Sequence, residues 1–187
     1  DMIANVNIPA SVTTIGEKAF YFCKSLKTIT VPAGVTSIGN RAFTSCASLT
    51  SIEVAAGNAN YKSVDGSLYT KDGKTILAYA IGKTADTFVI PSDVTVIGPE
   101  SFSRSQNLVA ITIPSGVTRI EDNAFFYSRL KAIIIPDTVT FVGASAFADC
   151  DSIKTVYIGS GVTEMDKTAF FNCTAITSYD VNENNTL

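Results

Sequence analysis

Apolar residues return in a fixed order along this chain. Between Leu26 and Cys46 the order is Leu26, Ile29, Val31, Val35, Ile38, Ala42, Phe43 and Cys46, set among threonine, serine, lysine and glycine. Ile29 and Val31 alternate with Thr28 and Thr30, the period of a strand with one buried face. Pro32 has no N–H to give a ladder, which predicts the end of that strand. Val35 and Ile38 predict a second, shorter extended piece with inward side chains. Gly39 follows and is expected at positive φ. Ala42, Phe43 and Cys46 stand at i, i+1 and i+4, which predicts one helical or 3₁₀ turn at a corner.

The order is a repeat, LxxIxVPxxVxxIGxxAFxxC. Its Ala-Phe pair occurs at Ala19-Phe20, Ala42-Phe43, Ala124-Phe125, Ala146-Phe147 and Ala169-Phe170, and as Ser101-Phe102. Successive phenylalanines of the set lie 23, 59, 23, 22 and 23 residues apart. A period of 22–23 falls in the range of leucine-rich solenoids. No single rung can bury its own apolar face, and stacking rungs about 4.8 Å apart joins the faces into one column. The chain opens on Ile3 to Pro9, which match Leu26 to Pro32. The expected fold is a right-handed β-rich solenoid of eight strand rungs with helical or 3₁₀ corners, one domain over 1–187.

One rung breaks the rhythm. From Leu49 to Ala85 it takes 36 residues, 13 more than a rung of 23, and it has no Ala-Phe corner. Asp65-Gly66 and Asp72-Gly73 are tight-turn pairs between β-forming runs. They predict an inserted β-meander at about 55–84, with strands near 61–64, 67–70 and 75–80. The stretch Ile176 to Leu187 parallels Leu49 to Asn60. Neither end carries a polar capping repeat, so a fragment of a longer protein, or ends covered by a partner, is expected.

These residues resemble the BspA-type leucine-rich repeats, whose pattern LxxIxIPxxVxxIGxxAFxxCxxL is matched by Leu26 to Leu49. Asn58 to Gly73 is similar to that family's Asn…Tyr-x-Ser-x-Asp-Gly-x-Leu-Tyr-x-Lys-Asp-Gly module. The resemblance implies a secreted or surface-attached bacterial protein that adheres to a host or microbial surface protein or glycan. It carries over no binding residue.

Composition narrows the chemistry. Net charge is −3, and the 14 Lys and Arg form no basic run, which argues against nucleic acid. There is no His, which removes the commonest general base and zinc ligand. No apolar run reaches the ~20 residues that cross a bilayer, so no membrane insertion of this segment is expected. The opening Asp1-Met2-Ile3 shows no signal peptide and predicts a processed or truncated chain. No cofactor is expected, and no metal site.

Cys23, Cys46, Cys150 and Cys173 fall three after the phenylalanine, where Ser105 and Ser128 stand in other rungs. The exchange predicts a small inward group hydrogen-bonded to backbone. Free buried thiols are expected, although Cys23/Cys46 and Cys150/Cys173 stand one rung apart, close enough to bridge.

Glu121 and Asp166 occupy the slot of Gly16, Gly39, Gly98 and Gly143. Two rungs separate them by about 10 Å, just beyond the carboxylate spacing of inverting glycosidases; the plainer reading is two solvated carboxylates on a corner. Asp65 and Asp72 lack the ligand density of a calcium loop, so they read as turn residues. The outward strand-face stripe is the best binding candidate. It comprises Asn7, Thr30, Glu53, Val89, Thr112, Ile134, Tyr157 and Asp180, with Lys131 and Lys154 among its neighbours. Apolar and aromatic groups on a polar stripe mark contact sites, although β-branched and aromatic residues also simply suit strands. Tyr61, Tyr69 and Tyr79 are a second candidate, or else clamps for the meander. The expected function is non-enzymatic binding or adhesion, ahead of a structural spacer and of a carbohydrate-active enzyme.

Overall fold

The computed structural model describes residues 4–187, so Ile3, the expected opening of the first rung, lies outside the described residues. The chain divides into two compact units, Asp1–Lys83 and Thr84–Leu187.

In the first unit the repeat folds as paired parallel strands. β1 (Thr14–Ile15) lies beside β3 (Ser37–Ile38), and β2 (Thr28–Val31) beside β4 (Ser51–Val54). Ile29 and Val31 are buried while Thr28 and Thr30 are exposed, as the alternation requires. β5 (Tyr61–Val64), β6 (Ser67–Thr70) and β7 (Thr75–Ala78) pair antiparallel in succession. Asp65 and Gly66 between β5 and β6 have φ of 47° and 63°, the double left-handed geometry of a two-residue type I′ turn.

The second unit repeats the plan. The long strands β8 (Thr87–Val89) and β10 (Ala110–Thr112) pair in parallel, as do β12 (Ala132–Ile135), β14 (Thr155–Ile158) and β16 (Ser178–Val181). The short strands β9 (Val96–Ile97), β11 (Arg119–Ile120), β13 (Phe141–Val142) and β15 (Glu164–Met165) form the opposing parallel sheet. Between the sheets the phenylalanines stand in file. Ring centroids are 5.0 Å apart for Phe102–Phe125, 5.0 Å for Phe125–Phe147 and 4.9 Å for Phe147–Phe170, tilted by 13°, 4° and 6°. That step is the strand spacing, so each rung contributes one ring. Phe20 and Phe43 stack likewise in the first unit, at 5.7 Å and 3°.

The corners differ from expectation. Among the described residues there is no helical or 3₁₀ segment, and each corner is a run of turns. The cause is a left-handed residue two before and two after the phenylalanine: Arg41 and Ser45, Glu100 and Arg104, Asn123 and Tyr127, Ser145 and Asp149, with φ from 53° to 65°. A left-handed residue every fourth position cannot continue a right-handed coil. At Gly98–Ser101 the Ser101 N–H reaches the Gly98 carbonyl at 3.3 Å. Pro99 and left-handed Glu100 then hold the central positions of a type II turn. The alternation turns every second N–H toward the next rung: Glu100 to Asp122 O (3.1 Å), Phe102 to Ala124 O (2.8 Å) and Arg104 to Phe126 O (2.8 Å). The corner is thus an inter-rung ladder.

Gly39 is also not what the sequence predicts. Positive-φ glycines are Gly57, Gly66 and Gly73. A Cβ on Gly39 would instead lie 2.4 Å from the Glu17 nitrogen and 2.7 Å from its Cα, so close backbone approach demands glycine. Gly39→Ala is expected to cost about 1–3 kcal/mol by overpacking. Gly16→Ala, with nothing within 4 Å of its Cβ, is expected to be near neutral. Denaturant midpoints of the two variants decide this.

The cysteines are free. Cys46 Sγ donates to Phe20 O at 3.0 Å, Cys150 Sγ to Phe125 O at 3.1 Å and Cys173 Sγ to Phe147 O at 3.0 Å. Ser128 Oγ lies 3.2 Å from Cys150 Sγ, so thiol and hydroxyl fill one slot. Burial pushes the Cys46 thiol up to about 11 from an ordinary 9.0. Burial, with the Asp65 charge, pushes the Tyr79 phenol up to about 12 from 10.0. Both groups are neutral when protonated, and the folded state holds the proton more tightly. The stability they contribute is therefore intact below their unfolded values and lost as pH rises through the folded ones. Unfolding midpoints are expected to fall from about pH 9 upward, and Tyr79→Phe to make the part between about pH 10 and 12 shallower, the rest coming from Tyr69, whose phenol burial also pushes up.

Candidate ligand-binding face

In each unit the outward positions of the long strands form an exposed face. In the first unit Thr30 pairs in register with Glu53, and both are exposed. The Glu53 carboxylate accepts from Ser51 Oγ at 2.5 Å. In the second unit Thr112 stands beside Val89, which is 68% exposed. Ile134 stands beside Tyr157, with Asp180 next in line.

Ile134 is the outlier of β12. Its neighbours Ile133 and Ile135 are buried, while Ile134 itself is 65% exposed. Tyr157 is half-buried, and its hydroxyl accepts from Asn182 Nδ2 at 3.0 Å. The same amide reaches Asp137 Oδ1 at 3.4 Å, and that oxygen accepts the Ser160 N–H at 2.7 Å. Tyr157 is therefore held from its tip. The Lys154 N–H donates to Lys131 O at 2.9 Å, which sets these two exposed lysines one rung apart. The patch combines a fixed aromatic ring, an exposed aliphatic chain and two ammonium groups, suited to an acidic or hydroxyl-rich surface with apolar faces.

Sequence reasoning missed Asn182 and Asp137. It also missed the corner aromatics Tyr127 and Phe171, exposed at 44% and 65%. The Arg104 guanidinium lies over Tyr127 at 5.1 Å and over Phe126 at 5.6 Å. Their signal in the sequence is position: Tyr127 falls two places after the buried Phe125, and Phe171 one place after the half-buried Phe170.

The other candidates resolve into structural roles. Tyr69 and Tyr79 are buried. The Tyr61 hydroxyl accepts the Ile38 N–H at 3.1 Å and donates to Thr36 O at 3.4 Å, clamping β5 to β3. Asp72 Oδ1 accepts from Thr70 Oγ1 at 2.6 Å and from the Lys74 N–H at 2.9 Å, which is turn chemistry. Glu121 accepts from Arg119 Nε at 2.7 Å and is partly buried, so it is not a freely solvated carboxylate. Asp166 accepts the Thr168 N–H at 2.8 Å and its hydroxyl at 2.5 Å, and these bonds hold its carboxyl below the ordinary range. Glycoside hydrolysis by an acid/base pair needs one carboxyl kept protonated. Asp166 is tuned the other way.

Parallel rungs of 22–23 residues, around an aliphatic and phenylalanine column in each unit, define a leucine-rich repeat β-solenoid. A family model described as BspA type Leucine rich repeat region matches residues 2–72 and 74–187 in six copies. The chain belongs to that family. It is similar to a solved leucine-rich repeat protein from Eubacterium ventriosum, with 30% identity and a TM-score of 0.79, covering 92% of this chain and 53% of that one. It is also similar to a leucine rich cell surface protein from Faecalibacterium prausnitzii, with 29% identity and a TM-score of 0.72, covering 93% and 52%. The pneumococcal vaccine antigen PcpA, at 21% identity and a TM-score of 0.71, shares the fold over 96% of this chain and 56% of its own. The chain thus spans about half the length of these solved relatives. No curated protein matches it. Among the described residues no helix is long and apolar enough to cross a membrane.

Proposed function

We propose that this chain is a non-enzymatic binding module of a secreted or surface-anchored bacterial protein, adhering to a host or microbial surface protein or glycan. The observation that carries the reading is Ile134, exposed beside the tethered Tyr157, on strands entered through the exposed Lys131 and Lys154. The wider contact positions are Thr30 and Glu53 in the first unit, and Val89, Thr112, Lys131, Ile134, Lys154 and Tyr157 in the second. The described cell-surface role of the Faecalibacterium relative supports the location. Weak polar contacts along a repeated rigid surface gain strength through multivalency.

Capture of matrix proteins and glycans on an array tests the reading. Ile134→Asp is expected to lower capture of the best ligand by roughly tenfold or more, the loss typical of a central anchor. Its unfolding midpoint should not move, because the side chain faces water. Lys131→Glu with Lys154→Glu is expected to slow association and weaken its salt dependence. Undiminished capture by Ile134→Asp removes the stripe as the contact surface. A chain that captures no matrix protein and no glycan on that array overturns the binding reading in favour of a spacer.

A further inference from the structure

The two units carry the same cap. Asn58 Nδ2 donates to Pro32 O (2.8 Å) and Val35 O (3.1 Å), and its Oδ1 accepts the N–H two residues on, from Asn60 (2.8 Å). Asn185 lies 127 residues later. Its Nδ2 donates to Gly159 O (2.6 Å) and Val162 O (3.4 Å), and its Oδ1 accepts from Leu187 N–H (2.7 Å). Every partner is displaced by the same 127 positions, so the rung ending at Asn185 is built as the rung ending at Asn58.

What covers the two rungs differs. In the first unit, β5 to β7 close the face beyond β3 and β4. Tyr61 Oη accepts from Ile38 N–H, Ser63 Oγ donates to Ile52 O at 2.7 Å, and Ile52 N–H donates to Gly66 O at 2.8 Å. Leu68 and Ala80 join the core cluster with Ile52 and Leu49. The counterparts of Ile38 and Ile52 are Met165 and Tyr179. Tyr179 sits beside Val156 of β14, while the inter-strand N–H bonds run from Ser178 to Lys154 O and from Asn182 to Ile158 O. The N–H and C=O of Tyr179 therefore face away from β14. Ile52 is 0% exposed and Tyr179 is 54% exposed, with Val181 at 49%. A cleft of about 460 Å³ opens there, lined by Met165, Ala169, Phe170, Phe171, Tyr179 and Leu187 together with the charged Asp166 and Lys167. The Phe170 ring, last of the file, meets Tyr179 edge-on at 6.0 Å.

We infer that this face of β15 and β16 is a docking platform for an antiparallel three-stranded β-unit of the kind formed by β5, β6 and β7. Its occupant carries a tyrosine that accepts the Met165 N–H, a serine that donates to Tyr179 O, and a turn carbonyl that accepts the Tyr179 N–H. Apolar strand residues fill the cleft over Phe170. This is strand addition to an open sheet edge, with main-chain bonds for affinity and side-chain slots for register. The inference is independent of the stripe on the long-strand face.

The test extends the full chain after Leu187 with a copy of residues 61–83, which continues the 127-residue offset in register. Amide exchange at Met165 and Tyr179 is expected to slow by about tenfold or more. Replacing the copied Tyr61 by Phe should release Met165 while Tyr179 stays slow. Unchanged exchange in the extended chain would overturn the inference, as would equal slowing by a scrambled extension. So would a concentration-dependent dimer of the unextended chain that protects the same two amides, which would assign the face to a second copy.

Discussion

Phe125→Ala is expected to destabilise the second unit by about 4 kcal/mol, the usual loss for a large ring removed from a close-packed site. Phe125 is fully buried, and its ring lies 5.0 Å from both Phe102 and Phe147. A rung cannot collapse into the hole, because its backbone is held on both sides: Phe125 N–H donates to Ala146 O at 2.7 Å, and Phe102 N–H donates to Ala124 O at 2.8 Å. The cavity therefore persists, and for a unit of this size the loss corresponds to a fall of roughly 15–30 °C in Tm. Phe125→Leu should lose less, about 1–2 kcal/mol, since it keeps volume but not the stacked face. Phe170→Ala is the internal comparison. Its ring has a stacked neighbour, Phe147, on one side and the open cleft on the other, so it should cost about half as much as Phe125→Ala. Equal losses at the two positions would mean that the rings do not act as a file.

The inward column is legible in the sequence because burial acts on side-chain type at fixed spacing. Ile29, Val31, Val35 and Phe43 each sit where only an apolar group fits, and the repeat states that requirement again in each rung. The corners are not legible for the opposite reason. Arg41, Glu100, Asn123 and Tyr127 share a left-handed backbone without sharing any chemistry. That conformation is imposed by N–H groups bonding to the next rung, against local preference at Arg41, Glu100 and Tyr127, while asparagine tolerates it at Asn123. Gly39 shows the same limit, since its constraint comes from Glu17 in the rung before. On the candidate face, exposure of Ile134 follows from strand alternation alone. The tether on Tyr157 does not, because it joins Asn182 and Asp137 from separate loops, and no local pattern encodes that meeting.

Asn58→Ala is expected to cost the first unit about 3 kcal/mol, from four hydrogen bonds worth roughly 0.5–1.5 kcal/mol each. Asn58 is a buried amide that uses both ends: Nδ2 to Pro32 O and Val35 O, and Oδ1 from the N–H groups of Asn60 and Tyr61 at 2.8 Å each. Truncation leaves polar backbone groups without partners and loosens the entry to β5, whose Tyr61 satisfies Ile38. Asn58→Asp keeps the acceptor but faces two carbonyls with a carboxylate where two N–H donors stood. Burial and those carbonyls disfavour its charged form, so its folded pKa should lie above the unfolded one. Its stability deficit should then shrink as pH falls through that folded value, where protonation restores one donor. Asn58→Ala has no such group and should show no added pH dependence. Asn185→Ala, half-exposed with no β-unit over it, should cost less than about 1 kcal/mol. Denaturant unfolding of the three variants between pH 4 and pH 8 separates a working two-ended amide from mere space-filling. A deficit in Asn58→Asp that does not change with pH would show that the carboxylate reaches water, and that the cap is not the closed site described here.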